Sequence, residues 1–130
     1  MAKWVHADVL DGGLNAIKNN ANKMVLLKAY AAGDSYATVN GTNNIAAVAM
    51  ASGDSTLGNG ASSARTLTTA SGKSATASAG SGASPNLHIA WVDSVNSKVL
   101  WVTDETTDQV VTAGNTVNFP AVVYTASQPT

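Results

Sequence analysis

The stretch NLHIAWVDSVNSKVLWVTDE, residues 86–105, constrains the fold more than any other part of the chain. Leu87, Ile89 and Trp91 alternate with His88, Ala90 and Val92. The residues DSVNS carry turn chemistry, and Val99, Leu100, Trp101 and Val102 then return. Two apolar arms joined by a short polar loop predict an antiparallel hairpin. Both faces of each arm are largely apolar, so both must be covered, which places the pair centrally in a sandwich.

The remaining segments extend this β pattern. KMVLLKAYA (23–31) predicts a first strand, GDSYA (33–37) a turn with a short extended piece, and NNIAAVAMAS (43–52) a further strand or, since alanine favours one, a short helix. ASGDSTLGNGASSA (51–64) is dense in Gly, Ser and Asn and reads as a loop. ARTLTTASGKSATASAGSGAS (64–84) alternates small polar and apolar residues, with Thr66, Thr68 and Thr76 around SGK, and reads as a second hairpin in preference to a disordered linker. After residue 105 the pattern predicts a strand ending at Val111, an AGN turn and a last strand from Thr116 to Thr125. Pro120 inside that strand argues for an edge or a bulge.

Residues 8–24, DVLDGGLNAIKNNANKM, differ. Leu10, Leu14, Ile17, Ala21 and Met24 fall on one helical face, and Asp8 is a suitable N-cap with Asp11 three residues on. Gly12 and Gly13 each cost a helix interior about 1 kcal/mol against alanine. Such a helix needs burial to persist. The glycines mark either a tight packing point, against a sheet or another chain, or a helix that starts only after them. The expected fold is therefore a single domain over 1–130. An N-terminal arm and helix (about 1–24) precede a mainly β unit (about 25–126), an antiparallel β-sandwich or jelly-roll-like barrel of seven or eight short strands.

Only 12% of the residues are charged, the net charge is -1, and more than half are Ala, Gly, Ser, Thr or Asn. No basic field exists to neutralise phosphates, so nucleic acid is not an expected partner. MVLLKAYAA, the longest apolar run, is too short to cross a bilayer, and MAKWVHADVL has no apolar core of a secretory signal. A surface so poor in charge leans towards coverage by neighbouring molecules.

No chemical site stands out. SGKS (71–74) lacks the glycine that a phosphate-binding loop requires five residues before Gly72, where Leu67 stands. His6 and His88 are the only histidines, and His88 reads as a sheet residue. Asp93, Asp104, Glu105 and Asp108 lack the spacing of a calcium loop and read as solvated turns. No Gly-x-Ser-x-Gly elbow frames a serine. No cofactor and no metal are expected, and catalysis is not the expected role. Trp91 and Trp101 read as core, whereas Trp4 and Val5 precede the helix in a segment too short to bury itself.

LDGGLNAIKNNANKM, then LHIAWVDSVNSKVLWVT, then VTAGNTVNFPAVVYTAS resemble, in that order, a family of small virion proteins of tailed bacteriophages. The matching residues are Leu10, Asp11, Leu14, Ile17, Lys18, Asn20 and Ala21, then His88, Ala90, Val92 and Asp93, then 113–117. Gly12 and Gly13 depart from the pattern, where larger residues are expected. The resemblance implies a head-associated structural or decoration protein. Such a protein would bridge neighbouring capsid subunits, with the major capsid protein or other virion proteins as partners. It would be assembled in the host cytoplasm and located in the virion. Self-association as a dimer or trimer would enlarge the contact area. Trp4, Val5, His6, Gly12, Gly13, Asn15 and Asn19 are the candidate interface. The alternative is a receptor- or carbohydrate-binding module of a tail fibre or spike, which would expose Trp91 and Trp101.

Overall fold

The computed structural model describes residues 2–105 and 108–130. They form one helix, α1 (Ala7–Asn20), and nine strands: β1 (Lys23–Leu27), β2 (Asn44–Ala49), β3 (Ser55–Asn59), β4 (Arg65–Thr69), β5 (Lys73–Thr76), β6 (His88–Asp93), β7 (Lys98–Asp104), β8 (Thr116–Phe119) and β9 (Val123–Ala126). The strands make a four-stranded sheet in the order β2-β1-β6-β7, a three-stranded sheet β3-β4-β9 and a ribbon β5-β8. Every pairing is antiparallel. The fold is mainly β and sandwich-like, as expected, with the strands of the described residues held in three separate sheets.

The 86–105 hairpin forms with Trp91 opposite Trp101. β6 is buried along its whole length, and β1 beside it is buried from Met24 to Leu27. Their alternate residues feed two cores. Met24, Leu26, Ile89 and Trp91 join Leu14 and Ile17 of α1, Ile45, Leu67 and Phe119 in the larger one. Val25, Leu27, Ala90 and Val92 face the other way and are covered by Val39, with Tyr30 and Tyr36 at the margin. The area buried by the Trp91 ring corresponds to about 4–6 kcal/mol at ordinary transfer values, partly offset by its indole N–H, which is buried without a hydrogen-bond partner among the described residues. β7 is an edge strand. A bulge between the Trp91 and Val92 pairings lets consecutive residues Leu100 and Trp101 both pack on the larger core, while Val99 and Val102 border the smaller.

Several expectations are corrected. The helix begins at Ala7, with His6 as N-cap accepting from the Asp8 amide, so Asp8 lies inside it. It ends at Asn20 rather than Met24, because the Asn22 backbone is already in the sheet. The Asn22 N–H donates to Val92 and its carbonyl accepts from Met50. Asn22 also exchanges side-chain bonds with Ser94, which fixes the entry into β1. The helix does not start after the glycines but runs through Gly12 and Gly13, and no sheet or other part of the described chain packs tightly on them. The extended piece expected within 33–37 is absent: Tyr36 and Ala37 are helical and lead into a π-helical turn, Thr38–Thr42, initiated by Ser35, whose hydroxyl accepts from the Thr38 amide. Its purpose is visible in Val39, which is wholly buried. The presumed loop 51–64 contains β3, which pairs along its length with β4.

The segment around SGK is not a hairpin. β4 and β5 lie in different sheets and both pair with the 116–126 arm: β4 with β9, β5 with β8. The two arms run antiparallel and turn a corner together. Gly72, with φ of 79°, allows the bend on one arm, and Pro120 ends β8 on the other. Thr69 bridges the corner, donating its amide to Val122 and accepting the Val122 amide on its hydroxyl. The expected strand ending at Val111 is also absent from the described part: residues 106 and 107 lie outside the described residues, and 108–112 form no strand. Val111 instead exchanges bonds with Ser81 alone.

Replacing Trp91 by alanine is expected to cost about 3–5 kcal/mol in denaturant unfolding, with a smaller loss for Trp101→Ala, which is half-exposed. Two carboxylates set the acid response. Asp54 is held below its ordinary value by hydrogen bonds from Lys73 and the Ala51 amide. Asp93 is held below it by the Asn96 side chain and the amides of Asn96 and Val95. Both bind protons more tightly unfolded than folded. Their contribution is therefore complete above the ordinary value of 3.8 and is lost as pH falls below it. Thermal melts should show this loss, and it should be blunted in Asp54→Asn and Asp93→Asn.

Candidate functional site

Lys3, Val5 and the C-terminal residues close the N-terminal arm onto its own chain. The Val5 amide donates to the Gln128 side chain at 2.9 Å, and Gln128 donates back to the Val5 carbonyl at 3.0 Å. Lys3 reaches the Thr130 carbonyl. Val5 is therefore half-buried against the C-terminus, whereas Trp4 stands 69% exposed. His6 is exposed and committed to the cap.

α1 is bolted down on one side by ions and on another by apolar contact. Arg65 of β4 grips Asp11 through two bonds, Nε to Oδ1 at 2.7 Å and Nη2 to Oδ2 at 3.1 Å. Lys18 donates to the carbonyls of Ser52 and Ser55. Leu14 and Ile17 point into the core. The face left over carries Asp8, Val9, Gly12, Gly13, Ala16, Asn19 and Asn20, all exposed and, apart from Asp8 in the first turn, uncharged, with Asn15 half-buried beside it. A Cβ at Gly12 or Gly13 would meet nothing within 4 Å, and neither backbone requires glycine. The cost of this glycine pair has no counterpart inside the described chain.

Below that face runs an apolar groove of about 270 Å³. α1 supplies Leu10, Gly13 and Ala16 to it, β7 supplies Leu100, and β9 supplies Tyr124 and Ala126. The groove is the seam where the edges of the two larger sheets meet under the helix. Trp101 of β7 stacks on Trp91 with centroids 3.9 Å apart and stands edge-on to Tyr124 of β9 at 5.3 Å. The aromatic pair that a sugar-binding module would expose is thus largely committed to packing, and Trp91 is fully buried. The sequence gives no sign of this seam, since its walls come from three distant segments.

Polar chemistry is dispersed. Among the described residues no three of His, Cys, Asp or Glu stand close enough to hold a metal ion. His88 is buried, with Nδ1 2.9 Å from the Asn86 carbonyl and Nε2 3.7 Å from Asp104. Asp93 is no solvated turn residue: it is buried and accepts from Val95 and Asn96. Asp108 accepts the Leu87 amide. Lys73 of the SGKS stretch is tied to Asp54 and the Ala49 carbonyl. A second cavity, of about 280 Å³, lies between Leu26, Leu87 and Ile89 and the 109–120 segment. Glu105 stands at its rim, its carboxyl pushed up by burial and by neighbouring Asp104.

Gly12→Ala and Gly13→Ala should each stabilise the isolated chain by about 1 kcal/mol in urea melts, because the helix gains propensity and the methyl group meets nothing. A destabilised variant would mean that the glycines are needed for folding. Comparison of the chain with protein-family models, with curated proteins and with solved structures finds no match.

Proposed function

We propose that this chain is a structural protein of a tailed-bacteriophage virion that decorates the head and bridges neighbouring capsid subunits. The observation that carries the reading is the open face of α1. Two glycines sit in mid-helix, exposed and unopposed, beside Val9, Ala16 and an apolar groove. A bare helix backbone lets another main chain approach closely, which any side chain would prevent. The resemblance of the 10–24, 87–103 and 111–127 segments to small virion proteins supplies the setting.

The mechanism is additive contact. One copy contributes a modest patch centred on Trp4 and the Val9–Asn19 face. Many copies on a symmetric shell multiply that contribution without new chemistry. Self-association as a dimer or trimer would link several capsid subunits at once and raise the barrier to their separation. The major capsid protein is the proposed partner and the virion the proposed location.

The test is to titrate the purified chain onto heads that lack it, then to measure occupancy by electron microscopy and head rupture on heating. Wild-type protein should bind and raise the rupture temperature. Trp4→Ala should fold normally and bind about tenfold or more weakly, as expected for an exposed tryptophan anchor. Gly12→Val should likewise fold but lose occupancy. Failure of the wild-type chain to bind heads, or full binding by both variants, would overturn the reading.

A further inference from the structure

The cavity between β1, β6 and the 109–120 segment shares no lining residue with the groove under α1. Its floor is apolar and buried, made of Leu26 of β1, Ile89 of β6 and Phe119 of β8. Its outer wall is fastened to the body of the chain. Val111 exchanges two bonds with Ser81, and Ala77 exchanges two with the Gly114–Asn115 turn. A wall held in this way keeps the cavity open before anything enters it, as in most small-molecule sites. Cavities of about 150 Å³ already hold a benzene ring. At about 280 Å³ this one has room for a ring and a short chain.

The charge at its mouth has one sign. Among the described residues Glu105 is the only charged group lining the cavity, and no lysine, arginine or histidine does so. Asp104 and Asp108 lie close by in the chain, and Asp108 is already taken by the Leu87 amide at 2.7 Å. The nearby imidazole of His88 stands 3.7 Å from Asp104. Glu105 is half-buried, and burial, then neighbouring Asp104, raise its carboxyl above the ordinary value. A carboxylate drawn out of water in this way gains from a charge-assisted hydrogen bond. We propose that this cavity binds a small organic cation, a protonated amine on a compact apolar body, with the body on Leu26, Ile89 and Phe119 and the ammonium at the Glu105 carboxylate. An anion of the same shape meets Glu105 as a like charge, and a neutral one leaves the carboxylate unpaired, so the cavity discriminates by charge. This site goes beyond the virion reading and does not rest on it.

Three probes of similar shape test it on the isotope-labelled full-length chain: phenethylamine, phenethyl alcohol and phenylpropionate. Each is titrated at about pH 8, where a glutamate is ionised and an alkylamine still protonated. Phenethylamine should shift the amide resonances of Leu87, Ile89, Val117 and Phe119 and bind about tenfold more tightly than the alcohol, with the acid weaker still. E105Q should remove the preference for the amine while leaving the spectrum elsewhere unchanged, because the Glu105 backbone amide keeps its bond to the Leu87 carbonyl. No shift at these amides with any probe overturns the site. So do equal affinities for the three probes, shifts confined to Leu100, Tyr124 and Ala126 of the other groove, or an E105Q chain that still prefers the amine. The wild-type comparison stands by itself, so it decides the matter even without the variant.

Discussion

The fold depends on the burial of both faces of β1 and β6. A strand covered on one side can be held by a single layer. These two need a layer on each side, and the rest of the chain is arranged to supply them. α1, the β3-β4-β9 sheet and the β5-β8 ribbon cover Met24, Leu26, Ile89 and Trp91. One π-helical turn, through Val39, covers the opposite side. The imbalance between the layers explains why so short a segment as 38–42 has a wholly buried side chain. Trp91 is the largest of the fully buried residues, and its stacking on Trp101 ties the central strand to the edge. Aromatic pairs of this kind add about 0.5–1.5 kcal/mol beyond the area they bury.

Polar side chains do the joining where regular pairing stops. Asn22 clasps Ser94 at the start of β1, Asp93 gathers the amides of the β6–β7 turn, and Thr69 replaces a ladder bond at the corner before Val122. Asp11 and Arg65 fasten the helix to β4. Helix and sheets therefore meet through few charges, most of them paired. Much of the small charge content of the chain is thus spent on internal joints, and beyond Asp8 in its first turn the open helix face carries no charge.

The sequence was informative where burial and periodicity agreed. The 86–105 hairpin was legible because both of its faces are apolar, and its centrality followed from the same fact. The helix was legible in its body but not at its end, because Ala21 and Met24 continue the helical stripe while being buried for reasons of the sheet. β3 was illegible: STLGN has a glycine and an asparagine in five residues, and only pairing with β4 makes it a strand. The corner at Gly72 was mistaken for a hairpin turn because a glycine bend looks the same locally in both, and the partner arm lies about forty residues away. Of the site, the anomaly of Gly12 and Gly13 was readable from propensity alone. The groove was not, since Leu100, Tyr124 and Ala126 meet only in the folded chain.

The clasp between Val5 and Gln128 has a practical corollary. It brings the first and last described residues to one spot on the molecule, directly before the cap of α1. A tag or cargo domain joined to either terminus would emerge from the same corner, next to Trp4, and would crowd the same neighbours. Choosing one end over the other for display offers no escape from that crowding. An exposed turn beside the opposite, C-terminal end of α1, such as the β6–β7 tip around Val95 next to Asn22, is the better place for an insertion.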